Sequence, residues 1–162
     1  MHYFKQIKYL TRKNVLQKNK KNMDFQFLED FKKISVKCPP ESYISKNMQV
    51  FRWVFDDITD ERNFQPLFYR NPKKYLGASD WEKCKGLALS LFISEDFAKN
   101  RFYDLKDTTC PIAYKVLGTN VAKCDITEND GLNEEPNNIG HFNHHPVKNH
   151  DYENRFTIIS KL

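Results

Sequence analysis

The sequence predicts a single α+β domain, in which N-terminal helices are followed by a strand-rich core of mixed or antiparallel pairing. Phe27, Leu28, Phe31 and Ile34 recur at helical spacing and predict an early amphipathic helix over residues 24–34. Two later hydrophobic runs, at residues 50–55 and 86–93, have the length and composition of strands. Helices therefore come early and strands dominate later, an order typical of α+β folds.

The remaining elements each have a local signal. Ser94 is a favoured helix N-cap, and it predicts a helix from residue 95 to about residue 104. Further strands are predicted at residues 112–117, 120–126 and 155–160. Residues 62–80 are rich in proline and aromatic residues and predict an irregular, ordered loop. Residues 127–152 are polar and predict a long loop, which in a compact domain is functional or mobile.

Composition places the chain among globular proteins of one domain. Its 162 residues are 40% hydrophobic and 14% aromatic, which argues against disorder. No apolar run approaches the roughly 18 residues that a membrane helix requires, so no membrane span is expected. Residues 1–22 lack the apolar core of a secretory signal, and we therefore expect an intracellular, cytoplasmic protein.

The four cysteines are scattered and include no C-x-x-C pair: Cys38, Cys84, Cys110 and Cys124. An intracellular location keeps thiols reduced, so no disulfide is expected. The spacing also gives no reason to expect a cysteine-containing zinc site.

The net charge of +5 is concentrated at the N-terminus. Residues 1–22 carry seven basic side chains and no acid, and of the 26 basic residues 19 remain against 21 acids. We therefore divide the chain into a basic extension, residues 1–22, and a nearly neutral α+β domain, residues 23–162. The extension fits a solvated helix, a surface for nucleic acid or anionic lipid, or a targeting peptide. Met23 is also a possible original start.

Four histidines fall within ten positions: His141, His144, His145 and His150. Imidazoles are common metal ligands. His144 and His145 are adjacent and would point to opposite sides of an extended backbone, while Gly140 and Pro146 disfavour a helix. We therefore expect no metal site. The alternatives are histidines solvated on a loop, or a substrate loop in which His141, His144 or His145 contacts the ligand.

Arg52 lies in the middle of the aromatic strand at residues 50–55. Side chains alternate along a strand, so Arg52 shares a face with Val50 and Val54. A guanidinium on an apolar face stays protonated and needs carboxylate, phosphate or carbonyl partners. Arg52 is therefore either half of a structural ion pair, with an acid of the turn that follows, or the floor of an anion-binding cleft.

Ser90 and Glu153 each allow two interpretations. Ser90 shares a strand face with the small Ala88, so it is either a core serine bonded to backbone or a hydroxyl that a ligand can approach. Glu153 precedes the last predicted strand, where it is either solvated beside Arg155 or a carboxylate at the mouth of a cleft. The chain has no G-x-S-x-G elbow and no glycine-rich phosphate loop, which argues against serine hydrolases and nucleotide-binding loops.

The order of these features resembles the Arg–Ser–Glu order of the ADP-ribosyltransferase-like fold. The resemblance spans roughly residues 48–160. It implies NAD as the substrate, with Arg52 holding its phosphates and Ser90 supporting the nicotinamide ribose. It implies that Glu153 is the catalytic carboxylate, which engages the ribose hydroxyl and stabilises an oxocarbenium-like transition state. The resemblance implies either a small mono-ADP-ribosyltransferase, which would modify a protein or nucleic-acid acceptor, or an NAD glycohydrolase, which would hydrolyse NAD. Both activities occur in toxins and defence effectors.

Two other classes of function fit the same sequence. One is a non-catalytic protein-interaction module, which would bind a protein partner through exposed aromatic residues and the segment 127–152. The other is a protein that contacts RNA or DNA through residues 1–22, with an affinity that falls steeply with salt.

Overall fold

A six-stranded antiparallel sheet organises residues 23–162, the part of the chain that the computed structural model describes. The strands are β1 (Met48–Val54), β2 (Leu89–Phe92), β3 (Asn120–Ile126), β4 (Gly131–Asn133), β5 (His141–Pro146) and β6 (Thr157–Lys161). Their order across the sheet is β4-β5-β2-β1-β3-β6. The predicted α+β class is confirmed. Every prediction about the basic extension falls on residues 1–22, which lie outside this described range.

Six α-helices, most of them a single turn, connect the strands within residues 23–162. They are α1 (Leu28–Phe31), α2 (Leu67–Arg70), α3 (Asp80–Gly86), α4 (Glu95–Thr108), α5 (Ala113–Val116) and α6 (Tyr152–Arg155). Two 3₁₀ turns, Glu61–Phe64 and Pro72–Tyr75, flank α2. Ser94 caps α4 as predicted, because its hydroxyl accepts a hydrogen bond from the backbone N–H of Phe97. No helix in the described range is both long and apolar enough to cross a membrane.

The two faces of β1 are covered by different parts of the chain. Val50 and Val54 belong to the main apolar cluster, with side chains of β2, β3, β5 and α6. Trp53 lies on the opposite face, where its Nε1 donates to the carbonyl of Ala98 in α4 at 2.9 Å. The alternation predicted for residues 50–55 is therefore confirmed, and Arg52 is buried on the valine face.

Two of the predicted elements are wrong, and the early helix predicted over residues 24–34 is only the single turn α1. Residues 112–117 form the helical turn α5 rather than a strand, since the N–H of Leu117 bonds to the carbonyl of Ala113 at 2.7 Å. Residues 127–152 are not a loop, because β4 and β5 lie within them. Asn133, His144 and His145 of these strands are polar yet buried, and His144 bonds to Asn133 across the pair. Their sequence therefore lacks the apolar alternation that marks most strands.

The cysteines are not all reduced, contrary to the expectation from sequence. Cys38 and Cys84 form a disulfide with a Cα–Cα distance of 5.8 Å, which joins the segment before β1 to α3. Cys110 and Cys124 are free thiols. Structural disulfides persist mainly in oxidising compartments, so this bond weighs against the predicted cytoplasmic location, which stays a prediction.

Candidate functional site

A gap between β1 and β2 creates the candidate site. These strands pair at one position, Phe51 with Phe92, whereas β1 and β3 pair along seven. Continued pairing would place Trp53 opposite Ser90; instead the strands separate and their facing backbone groups need other partners. The guanidinium of Arg52 enters this gap, and its Nη1 donates to the carbonyl of Ser90 at 2.7 Å.

Arg52 is a buried cation that lacks a paired anion. Its exposed fraction is 6%, and its Nε donates to the carbonyl of Asn63 at 2.5 Å. Within residues 23–162 no carboxylate pairs with it, and its Nη2 makes no hydrogen bond. Burial and the nearby charge of Arg70 lower its pKa to about 9, which leaves it protonated at neutral pH. The alternative of an ion pair with an acid of the following turn is therefore wrong.

Asn63 fixes the loop that supports Arg52. Its side chain is 1% exposed and is bonded at both ends. The amide oxygen accepts from the N–H of Phe55 at 2.7 Å, and the amide nitrogen donates to the carbonyl of Asp57 at 2.8 Å. These bonds tie the loop to the end of β1, so the carbonyl that receives Arg52 Nε is held in place.

Two neighbouring cavities lie along the gap, and together we call them the groove. The smaller has a volume of about 80 Å³ and the larger about 280 Å³. They share three lining residues, Leu67, Ala88 and Ser90. The larger cavity approaches the lower end, ~300 Å³, of typical small-molecule sites.

The smaller cavity is lined by Arg52 and by a second arginine. Arg70, at the end of α2, has its pKa lowered by burial and by the charge of Arg62. Its Nη2 bonds to the carbonyl of Val116, which orients the guanidinium. Trp53 and Gln65 complete the polar and aromatic part of this lining. Two guanidinium groups in one small cavity repel each other, and an anion between them would relieve that repulsion.

The larger cavity adds two lysines, an aromatic ring and an amide. Lys74 and Lys85 line it with Tyr75 and Asn143. Gly86 ends α3 directly beneath the ring of Tyr75, where a Cβ atom would lie 2.4 Å from Cε1 of that ring. The absence of a side chain at Gly86 therefore lets Tyr75 form part of the cavity wall.

The groove is electropositive overall. Its cations are Arg52, Arg70, Lys74 and Lys85, and its single lining acid in the described range is Glu82. The Glu82 carboxylate accepts from the backbone N–H and the hydroxyl of Ser79 in the capping box of α3, and these bonds lower its pKa. Glu82 is thus engaged at the helix terminus, which leaves the charge of the groove suited to an anionic ligand.

Ser90 lies where the two cavities meet. Its hydroxyl makes no hydrogen bond within residues 23–162, and its side chain is half-buried. The alternative of a core serine bonded to neighbouring backbone is therefore wrong. In the β2–β5 ladder Ser90 stands opposite Asn143, so both side chains project from the same face of the sheet into the larger cavity.

Glu134 lines neither cavity but contacts two residues of the wall of the larger one. Its carboxylate accepts from Nδ2 of Asn143 at 2.7 Å and lies 3.8 Å from Nζ of Lys85. Both partners line the larger cavity. Glu134 could not be predicted from sequence, because it lies in the segment predicted to be a loop and nothing in the spacing relates it to Ser90.

The structure does not bring Glu153 to the groove. Glu153 is exposed on α6 and lines neither cavity, whereas Arg52 and Ser90 line the smaller cavity together. Its neighbour Arg155 is engaged elsewhere, because Nη1 of Arg155 bonds to the carboxylate of Asp130 at 2.5 Å. Two of the three residues in the predicted Arg–Ser–Glu set are therefore adjacent and the third is apart.

The three histidines predicted for a substrate loop all lie on β5. His141 is half-buried, packs edge-on against Phe92 and has its pKa lowered by burial. His144 and His145 are fully buried, and none of the three lines either cavity. The alternative of solvated loop histidines is wrong for His144 and His145, since both are buried on β5, which lies between β4 and β2 in the sheet.

His144 is part of a buried polar network. Its Nδ1 lies 2.7 Å from Oδ1 of Asn133, and its Nε2 lies 2.6 Å from the hydroxyl of Tyr152. Burial lowers the pKa of His144 to about 3, so the ring is neutral. The neutral ring donates from Nδ1 to the amide oxygen and accepts at Nε2 from the Tyr152 hydroxyl. This network joins β4, β5 and α6, and its role is structural.

Replacing Tyr152 by phenylalanine should destabilise the fold by about 1–3 kcal/mol, because Nε2 of the buried His144 loses its donor. Urea unfolding of the wild type and the variant measures the difference in free energy of unfolding. Tyr103→Phe is the matched control, since Tyr103 is exposed and its hydroxyl makes no hydrogen bond in the described range. Equal stability of Tyr152→Phe and wild type would contradict the network.

Comparison with known proteins identified no relative of this chain. No protein-family model matches the sequence, no curated protein matches it, and no solved structure matches the fold.

Proposed function

We propose that the groove binds NAD and that the protein is an ADP-ribosyltransferase-like enzyme, a mono-ADP-ribosyltransferase or NAD glycohydrolase. The observation that carries this proposal is the unpaired, buried guanidinium of Arg52 beside the free hydroxyl of Ser90. A buried charge without a partner is costly, and such groups are concentrated at binding and catalytic sites. A pyrophosphate supplies the anionic oxygens that the guanidinium lacks.

The lining of the groove supports a ligand that is both anionic and aromatic. Arg52 and Arg70 offer charged donors at the smaller cavity, and Lys74 and Lys85 offer two more at the larger one. Tyr75 presents a ring on which a base or nicotinamide can stack. In this arrangement the phosphates lie near the arginines, and the hydroxyl of Ser90 faces the ribose between the two cavities.

The carboxylate for the ribose comes from Glu134 in this proposal. ADP-ribosyl transfer develops positive charge on the ribose, which a nearby carboxylate stabilises. Glu134 lies behind the lining and contacts Asn143 and Lys85 on the cavity wall, whereas Glu153, the residue predicted from sequence, makes no bond to a lining residue in the described range. Asn143 holds Glu134 in place through a 2.7 Å hydrogen bond, and the same amide can turn toward a ribose hydroxyl.

The test is nicotinamide release from NAD by the purified full-length protein. Wild type should release nicotinamide, and Glu134→Gln should reduce the rate at least about tenfold, since a carboxylate that stabilises developing charge typically contributes that much or more. Glu153→Gln is the matched control and should keep the wild-type rate. A rate lost in Glu153→Gln and kept in Glu134→Gln would return the catalytic role to Glu153.

A non-catalytic module is the second candidate function, and one observation favours it. The backbone carbonyls of Asn63 and Ser90 already accept from Arg52, so the guanidinium has a structural use without any ligand. Absence of nicotinamide release, together with absence of thermal stabilisation by NAD, would favour this module over the enzyme. A pull-down with the groove variants then asks which partner it binds.

A further inference from the structure

A second site, apart from the groove, is formed by two sulfur atoms and a histidine. Sγ of Cys38, Sγ of Cys84 and a ring nitrogen of His145 all lie within 4.8 Å of one another. The three residues come from different elements: the segment before β1, helix α3 and strand β5. The fold therefore converges on this point, although the cysteines are 46 residues apart in sequence.

His145 is the observation that requires an explanation. Its side chain is fully buried, and neither Nδ1 nor Nε2 has a hydrogen-bond partner in the described range. The rings of Phe31 and Tyr43 pack against it, with centroid distances of 5.3 and 5.7 Å. Buried polar atoms are nearly always satisfied, so an imidazole with two orphaned nitrogens is costly to the fold unless a ligand pairs with one of them.

We propose that Cys38, Cys84 and His145 bind a Zn²⁺ ion when the disulfide is reduced. Thiolate and imidazole are the ligands that Zn²⁺ prefers, and a Cys₂His set with an open fourth position is a known type of zinc site. Two thiolates neutralise the charge of Zn²⁺, so the buried site carries no net charge. A monovalent copper ion would leave one negative charge in an apolar environment, which disfavours it.

The two states of the site interconvert by balanced steps. A phosphine reductant takes an oxygen atom from water to become its oxide, and the two protons of that water and the two electrons of the phosphorus convert the disulfide into two thiols. Binding of Zn²⁺ then displaces both thiol protons and forms two Zn–S bonds and one Zn–N bond. One orphaned nitrogen of His145 gains a partner, and the segment before β1 stays joined to α3.

Zinc retention by the reduced full-length protein tests the site. After reduction with a phosphine, addition of Zn²⁺ and gel filtration, wild type should retain an equimolar amount of Zn²⁺, and the unreduced protein should retain none. Cys38→Ser should lose the bound zinc, because it removes one of the two thiolate ligands. Cys38 is the half-exposed ligand, so its replacement disturbs the core least. Cys110→Ser, which removes a half-exposed cysteine elsewhere, is the matched control and should bind as wild type does.

Cobalt substitution tests for metal binding at the two thiolates in the wild-type protein, without any variant. Co²⁺ at a site with two thiolates gives strong sulfur-to-metal charge-transfer absorption, which we expect for the reduced wild type and not for the oxidised protein. Should reduction unfold the chain, Zn²⁺ should restore the far-ultraviolet circular dichroism of the oxidised protein. A reduced protein that retains no Zn²⁺, shows no thiolate–cobalt absorption or stays unfolded with Zn²⁺ would overturn the proposal, as would equal retention by Cys38→Ser.

Discussion

Lowering the pH from 7.5 to 5 should reduce the free energy of unfolding of the oxidised protein by at least about 4 kcal/mol. Burial lowers the pKa of both His144 and His145 from 6.5 to about 3 in the folded state. The unfolded chain takes up protons at these rings as the pH falls through 6.5, and the folded chain does not. Each ring then contributes about 1.4 kcal/mol per pH unit below 6.5, or about 2 kcal/mol at pH 5.

The other titrating groups do not obscure the contribution of His144 and His145 between pH 6.5 and 5. Burial lowers the pKa of His150 to about 4 and also lowers that of His141, so both add to the loss in the same direction. The pKa of Asp130 is lowered from 3.8, and that of Asp80 is lowered to about 2. The stability that these carboxylates contribute is therefore lost only as the pH falls below about 4. The loss between pH 6.5 and 5 is therefore expected from histidines.

Urea unfolding at a series of pH values, with the Cys38–Cys84 disulfide intact and the ionic strength constant, measures the effect. His150→Gln keeps both fully buried rings and should keep most of the slope. Nuclear magnetic resonance of the folded protein should show ring signals of His144 and His145 that do not titrate between pH 8 and 5. Stability that is constant from pH 7.5 to 5, or rings that titrate near 6.5, would contradict the burial of two neutral histidines.

The elements that sequence predicted well are those with apolar periodicity. The strand at residues 50–55 alternates as expected, and the strand predicted at 86–93 is confirmed at Leu89–Phe92. Helix α4 begins at its predicted cap, although it continues to Thr108. In each case local patterning and tertiary burial favour the same structure, which is the condition under which a sequence can be read directly.

The strand β5 shows why the rest could not be predicted. Its sequence, with three histidines and an asparagine, is typical of a polar loop, and its burial depends on partners distant in sequence: Asn133, Tyr152 and the Cys38–Cys84 pair. The candidate site was also predicted only in part, because it too depends on contacts between residues distant in sequence. Arg52 and Ser90 follow from strand periodicity, but their meeting depends on where β1 and β2 separate, and no local signal marks that point.

Replacing Arg52 by methionine should weaken binding of NAD and of ADP-ribose about 100-fold while the fold is retained. Charged hydrogen bonds contribute about 1.5–3 kcal/mol each, so loss of the guanidinium from a pyrophosphate accounts for a 100-fold change. Methionine fills a similar volume and removes an unpaired buried charge, which by itself stabilises a fold. The carbonyls of Asn63 and Ser90 lose their donor, and that loss costs about 1–3 kcal/mol for each.

The two consequences of Arg52→Met are separable, and their combination distinguishes the candidate functions. Isothermal titration with NAD measures affinity, and urea unfolding measures stability. Arg62→Met is the matched control, because Arg62 is an exposed arginine paired with Asp60 and lines neither cavity. In an enzyme, wild type and Arg62→Met bind NAD and Arg52→Met loses that affinity. In a non-catalytic module the wild type has no NAD affinity to lose, and Arg52→Met changes stability alone, through the carbonyls of Asn63 and Ser90. A variant that folds and binds NAD as tightly as wild type would remove Arg52 from the binding site.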